Sequence, residues 1–339
     1  MPSPSDSAFV YVHIGANKPN VLVHYPGLVK IFYPEAHLVL LTDNPKSWQD
    51  FPGDVVDIKS NLRTLVPIWS RLVHYDRFNV ANGYWKKTLF RFFILAEISK
   101  LGILRPEEFV FHIESDVLVM PCSQTLDAIK ANIEATSVVQ LSPEVTIGAI
   151  VASPSAEHLS KSMKGLKEIF LSTKTWKNDM EILHQGIREF VVEPLNGINL
   201  HTNQTLMFDG WPFGQYLFGK DPIHLDGISR GGYVSPYSPT DLATGRWSIQ
   251  PCNSKSKKSH HHLHYQTSEG LLQLFNLHMH SKRCVGVPDL NDEVWRSTLE
   301  AANGLGTFQD FAHNPSIFLH ASNGNILARS MRKLRTWLN

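Results

Sequence analysis

Residues 109–120, FVFHIESDVLVM, place two carboxylates one residue apart inside an otherwise apolar run. Val110, Phe111, Ile113, Val117, Leu118 and Val119 show no helical period and are rich in β-branched and aromatic side chains, which predicts one buried strand. Glu114 and Asp116 interrupt it. In extended backbone, residues i and i+2 share a face, so the spacing aims both carboxylates into one space. Two anions held together away from water repel, and an unpaired buried charge costs several kcal/mol. The stretch therefore asks for a cation, unless both carboxylates sit solvated in a turn at the end of the strand.

Around this stretch the chain alternates between strand and helix patterns. Residues 9–14 (FVYVHI) read as a first strand stopped by Gly15 and the NKPN turn, 21–31 as a helix, and 37–41 as a second strand running into Thr42, Asp43, Asn44 and Pro45. Ligands of open α/β sheets bind beyond the C-terminal ends of strands, so the loops after these two strands are candidates for holding a nucleotide; an Asx turn is the local alternative for Asp43 and Asn44. A short strand at 55–58 precedes a helix over 84–101, whose apolar face of Leu89, Phe92, Phe93, Leu95, Ala96 and Ile98 ends at Gly102. Arg91 sits among those aromatics, with Lys86 and Lys87 one turn earlier. It is expected to face Asp116 or a phosphate beside it, or else to snorkel from the edge of the helix.

After the acidic stretch the pattern predicts a helix at 123–133 and strands at 137–141 and 146–152, the latter carrying Gly148, Ala149 and Ala152, whose small side chains let something approach the backbone. Helices at 156–171 and 176–190 and a short strand at 191–193 follow. Residues 208–222 and the Ser-, Pro- and Thr-rich stretch to about 244 read as long loops, and 253–265 (NSKSKKSHHHLHY), with its His-rich 260–264 portion, reads as a solvated basic loop. Residues 271–279 form a last apolar segment delivering His278, His280 and Lys282 at alternate positions, and 325–339 form a basic amphipathic helix suited to core docking or to peripheral membrane contact.

Composition removes several classes. The chain has 339 residues, enough for one large domain, and 42% apolar with 19% charged residues excludes disorder. Its 32 basic residues nearly cancel 31 acidic ones, so it is not built to coat nucleic acid, and any polyanion site must be local. Cys122, Cys252 and Cys284 are odd in number and lack CxxC spacing, which points to a reducing compartment. With no leader-like N-terminus and no run of 18 apolar residues, the expectation is a cytoplasmic protein without a transmembrane segment. Dinucleotide fingerprint, P-loop, GxSxG and HExxH motifs are absent from the sequence.

The alternating first half, the acid-x-acid triplet near residue 115 and the late His-x-His-Ser-Lys resemble the GT-A fold glycosyltransferases over residues 9–282. ESD at 114–116 looks like that family's DXD motif with Glu in first place. The resemblance implies a Rossmann-like mixed sheet flanked by helices in a single large domain: a tail at 1–8, a catalytic domain at 9–287 with a nucleotide half (about 9–122) and an acceptor half (about 123–287), and a helical extension at 288–339. It also implies Mn2+ or Mg2+, a nucleoside-diphosphate sugar such as a UDP-sugar as donor, and a glycan, lipid-linked or small-molecule acceptor. By that analogy Asp116 binds the metal, Glu114 binds it through water or holds the ribose, and His280 completes the shell, the choice between His278 and His280 being open. Lys282 and Arg91 would neutralise phosphate, while Asp43, Asn44 and the backbone from His13 to Gly15 would hold base and ribose. An inverting transfer needs a base, for which Asp179, Glu181 and Asp209 are candidates with Asp179 first. A sugar-phosphate nucleotidyltransferase and a non-catalytic nucleotide-sugar-binding module are the competing readings.

Overall fold

A computed structural model describes residues 7–214 except for 20, 62–64, 66–67, 69–83, 121–122, 144, 174–176, 196, 202 and 211–212, together with 246–252, 260–268 and 270–278. The predicted mixed α/β arrangement is present. A seven-stranded sheet has the order β3-β2-β1-β4-β7-β6-β8, formed by β1 (Ser7–His13), β2 (His37–Thr42), β3 (Asp54–Asp57), β4 (Phe109–Ile113), β6 (Ser137–Ser142), β7 (Val145–Ser153) and β8 (Glu193–Leu195). Strands β3, β2, β1 and β4 are parallel to one another, and β7 is antiparallel to both β4 and β6. Helices α1 (Val21–Phe32), α2 (Tyr84–Leu95), α3 (Ser123–Asn132), α4 (Ala156–Ser172) and α5 (Asp179–Arg188) flank it.

Burial on both faces explains the apolar runs that mark the strands. Phe9, Tyr11, Leu38, Leu40 and Phe111 pack on the side of Leu22 and Val29 in α1 and Leu126 and Ile129 in α3. The alternate residues Ala8, Val10, Val39, Leu41 and Val110 pack on Leu89, Phe92 and Phe93 of α2 and on α4 and α5. A five-stranded sheet of order β11-β12-β13-β10-β9 is built from β9 (Ile198–His201), β10 (Gln204–Met207), β11 (Arg246–Cys252), β12 (His260–Gln266) and β13 (Leu271–Leu274). β5 (Val117–Val119) and β14 (Asn276–His278) make a separate two-stranded ribbon.

Several boundaries depart from the sequence expectation for definite reasons. The single strand expected over 109–120 is two: Val117 N–H bonds to the Glu114 carbonyl at 3.2 Å, closing a turn that sends β4 into the large sheet and β5 into the ribbon. The segment 271–279 likewise divides at Phe275 into β13 and β14. The expected solvated loop at 253–265 is, over His260–Gln266, strand β12 between β11 and β13, with Leu263, His264 and Tyr265 buried. The expected tail loses Ser7 and Ala8 to β1. Helix α2 stops at Leu95, then one 3-10 turn (Ile98–Leu101) leads to Gly102 at φ 64°. The loop expected over 215–244 and the helical extension expected over 288–339 lie outside the described residues. Among the described residues no helix is long and apolar enough to cross a membrane.

At the C-terminus of α5, Phe190 adopts φ 57° while Val191 N–H reaches back to the Gly186 carbonyl at 2.8 Å. This left-handed position usually takes glycine, and a side chain there costs about 1–2 kcal/mol. The Phe190 ring is 95% exposed and returns little packing. Phe190→Gly is therefore expected to stabilise the fold by about 0.5–1 kcal/mol in urea denaturation, the strain relief exceeding the added chain entropy. A loss of stability would mean that the ring makes a contact worth more than the strain.

Candidate metal centre

The centre forms where the large sheet hands over to the ribbon. Glu114 N–H donates to the Ala149 carbonyl at 3.0 Å, extending β4 by one residue along β7 before the chain turns through Ser115 to Asp116. Beyond the turn, β5 pairs antiparallel with β14, and Val117 lies opposite His278. The register brings an imidazole from residue 278 to the carboxylates at 114 and 116. His278 Nε2 is 3.3 Å from Glu114 Oε2 and 3.6 Å from Asp116 Oδ1, and a ligand atom from each of the three residues lies within 4.8 Å of the others.

The other ring nitrogen fixes the tautomer. His278 Nδ1 faces the Gly210 carbonyl, which only accepts, so Nδ1 carries a proton and Nε2 is left for the carboxylates or for an ion. Burial disfavours the charged imidazole, but hydrogen bonds to Asp116 and Glu114 outweigh it and hold the His278 pKa well above its usual value. Two carboxylate donors and an imidazole Nε2 are a donor set that suits Mn2+ and accommodates Mg2+, and the proton they now share is one that a metal displaces.

Arg91 completes the cluster from α2. Its Nη2 pairs with Glu114 Oε1 and lies 3.1 Å from Asp179 Oδ2, while its Cζ lies 4.8 Å from the Phe92 ring centre. The partners are therefore Glu114 and Asp179, where the sequence pointed to Asp116 or a phosphate. Gly148 explains the close approach: a Cβ there would stand 2.8 Å from Arg91 Nη2 and 2.6 Å from Phe92 Cζ. Burial pushes the Glu114 carboxyl upward, but Arg91 and His278 more than offset it and hold the pKa well below the usual carboxylate range. At Asp179 burial wins over Arg91, and the pKa rises to about 6. Asp179 opens α5 behind an Asn178 cap, whose partner in the capping box is Glu181. Glu181 is thereby engaged in local structure, and Asp179 Oδ1 is buried with no hydrogen-bond partner among the described residues.

Asp209 occupies a different kind of place. Its carboxylate accepts the N–H groups of Phe213, Gly214 and His278 at 3.1, 2.7 and 2.8 Å, and burial raises its pKa to about 6. At the ends of β1 and β2, Gly15 (φ 123°) donates its N–H to Asp43 Oδ1 at 2.8 Å, and Lys59 Nζ stands 3.8 Å from Asp43 Oδ2. Asn44 donates to Ser47 Oγ at 2.7 Å, serving its own turn, and the His13 ring meets the Trp48 ring edgewise at 5.1 Å. Because β1, β2 and β4 are parallel neighbours, Gly15, Asp43 and Glu114 follow strand ends on one edge of the sheet. The order reverses between β1 and β4, the switch point where such sheets hold ligands. His280 and Lys282 lie outside the described residues. The links from Arg91 to Asp179 and from Asp209 to His278 had no sequence signal, since they join residues 88 and 69 positions apart.

No family model and no curated protein matches the sequence. Solved structures resemble part of the fold. The PaToxG glycosyltransferase is similar over 55% of this chain and 69% of its own, at TM-score 0.37 and 9% identity. Mouse xyloside xylosyltransferase 1 in its apo form is similar over 60% and 88%, at TM-score 0.37 and 10% identity. A transferase with two cysteine-to-serine substitutions is similar over 56% and 86%, at TM-score 0.36 and 12% identity. Likeness at this level leaves the chemistry to be argued from the site itself.

Removing Arg91 strands the buried Asp179 carboxylate and leaves Glu114 with His278 as its remaining cation. Arg91→Gln is expected to cost about 3–5 kcal/mol in urea denaturation at pH 7. The deficit should shrink towards pH 4. In the native protein Glu114, held below its usual 4.5, contributes stability that is present above that value and lost as pH falls through its lowered pKa. In the variant the carboxyls are free to protonate, so acid relieves what neutral pH penalises. A deficit independent of pH would contradict the pairing.

Proposed function

We propose that the protein is a metal-dependent glycosyltransferase of the GT-A kind, which takes a sugar from a nucleoside-diphosphate sugar, a UDP-sugar among the candidates, and passes it to a glycan, lipid-linked or small-molecule acceptor. The observation that carries the reading is the convergence of Glu114, Asp116 and His278 beside Arg91 at the switch-point edge of the sheet. Composition and cysteine usage support a cytoplasmic enzyme.

A bound Mn2+ or Mg2+ offsets charge on the departing diphosphate, the main obstacle to breaking the bond between sugar and phosphate. Asp116 and His278 are the residues that would hold it. Both Glu114 oxygens already face cations, Oε1 towards Arg91 and Oε2 towards His278, which suits Glu114 to orienting the centre, to a water-mediated contact or to the ribose. Arg91 stabilises phosphate charge, and Lys282 and His280 remain candidates for the same task and for a further ligand. The Gly15 and Asp43 pair, with His13 and Asn44 beside it, receives base and ribose. In an inverting transfer Asp179 takes the acceptor's hydroxyl proton. Its pKa of about 6 leaves it ionised yet basic at neutral pH. Asp209, with both oxygens committed to backbone N–H groups, is poorly placed for that role.

The test is a hydrolysis screen of nucleotide sugars with and without Mn2+, since slow donor hydrolysis needs no acceptor. At least one donor should be hydrolysed only with metal, and Asp116→Asn should lower that rate by about a hundredfold or more. Equal turnover in chelator, or no donor bound or hydrolysed, would overturn the reading. Metal binding should also release a proton and strengthen as pH rises, because the raised pKa of His278 means that the ion must displace its proton. Titration calorimetry in buffers of different ionisation enthalpy measures that proton directly.

A further inference from the structure

His278 is fastened to one loop at three points. Its backbone N–H donates to Asp209 Oδ2 at 2.8 Å, and its Nδ1–H donates to the Gly210 carbonyl. Gly214 packs so tightly on it that a Cβ there would lie 2.3 Å from the His278 carbonyl oxygen. The carboxylate that holds the His278 backbone also gathers the loop, accepting N–H groups from Phe213 and Gly214. Asn276, two residues before His278 on β14, closes the knot: its Oδ1 accepts the Asp209 N–H at 3.0 Å and its Nδ2 donates to the Asp209 carbonyl at 2.8 Å. Asp209 and Asn276 are both fully buried.

We infer that Asp209 and Asn276 are positioning residues for His278, setting the direction in which its Nε2 points at Glu114 and Asp116. The inference rests on reading those three residues as a metal centre. An imidazole ligand is oriented by the bond at its other nitrogen, and losing such a support costs about 10- to 100-fold in metal affinity. Here the support is a main-chain carbonyl, which no side-chain substitution removes. Its place is fixed by the preceding residue, whose carboxylate is held by the loop and by the His278 N–H and whose backbone is held by Asn276. Asn in place of Asp209 would turn an NH2 group towards N–H donors, leaving at least one without an acceptor and freeing Gly210 to shift. An ordinary loop anchor would need only one of these bonds; this one controls both the backbone and the ring of the same histidine.

The experiment measures Mn2+ binding by electron paramagnetic resonance on the full chain, for the native protein, Asp209→Asn, His278→Gln and the double variant, with circular dichroism to establish folding. Asp209→Asn should raise the Mn2+ Kd about tenfold or more while keeping the native spectrum. The double variant should bind no more weakly than His278→Gln, because a residue that acts through His278 has nothing to act on once it is gone. Unchanged affinity in Asp209→Asn, or additive losses in the double variant, would overturn the inference. If Asp209→Asn does not fold, Asn276→Ser removes the clamp without touching the carboxylate and is held to the same result. Collapse of both would also overturn it, since the knot would then belong to the fold as a whole. A native protein that binds no Mn2+ would instead overturn the metal centre on which the inference stands.

Discussion

Three residues of backbone pairing, Val117–Val119 against Asn276–His278, are what the candidate site depends on. The two segments are separated by more than 150 positions, and this ribbon sets residue 278 beside residues 114 and 116. All six residues are at most 3% exposed, so water does not compete for the ladder. Met120 N–H extends it by bonding to the Phe275 carbonyl at 2.8 Å. A slip of one residue would send the imidazole to the opposite face, because side chains alternate along a strand. The short ribbon is thus held to one register by the Asp209 and Asn276 knot on one side and by the turn from β4 on the other.

The charges make sense only as a set. Glu114, Asp116 and Asp179 gather around one guanidinium and one imidazole, and the buried position of Arg91 is tolerated because two carboxylates meet it. With the three carboxylates ionised and the imidazole protonated, the set carries one excess negative charge; a divalent ion in place of that proton brings it to neutrality. The same balance explains the opposed pKa shifts. Glu114 touches both cations and is held low, whereas Asp179 meets one and is dominated by its burial. Gly148 belongs to this account, since any side chain there would push Arg91 from between its partners.

Much of this fold is legible in the sequence where local pattern and tertiary need agree. Strands β1 and β2, helices α1, α2 and α4, and the alternation that produces a largely parallel sheet follow from uninterrupted apolar runs and from the 3.6-residue period. Of the small residues at 148, 149 and 152, Gly148 found its physical cause in Arg91 and Phe92, while Ala149 and Ala152 belong to the apolar core. The carboxylate pair was visible as a problem of buried charge, but not its geometry. Apolar residues flank it on both sides, so nothing local marks the turn at Glu114 or the change of sheet that follows. The kink at Phe275 is hidden for the same reason. The β12 segment misleads in the other direction: HHHLHY has the composition of a solvated loop, yet Leu263, His264 and Tyr265 are buried in a strand paired on both sides, by β11 and β13. Asp209 could be named as a candidate base but its anchoring of the loop could not be read, because its partners are backbone N–H groups that leave no trace in residue types.

The central claim is that Asp116 and His278, with Glu114 beside them, would hold a divalent ion at the strand-end edge of the sheet. Diffraction from crystals grown with Mn2+ and a nucleoside diphosphate tests it most directly, through the anomalous signal of manganese. The account predicts one strong peak within coordination distance of the Asp116 carboxylate and His278 Nε2, with diphosphate density on its outer side towards Gly15 and Asp43. An anomalous map with no peak there, or with manganese bound elsewhere while His278 Nε2 still faces Glu114 and Asp116 alone, would contradict it.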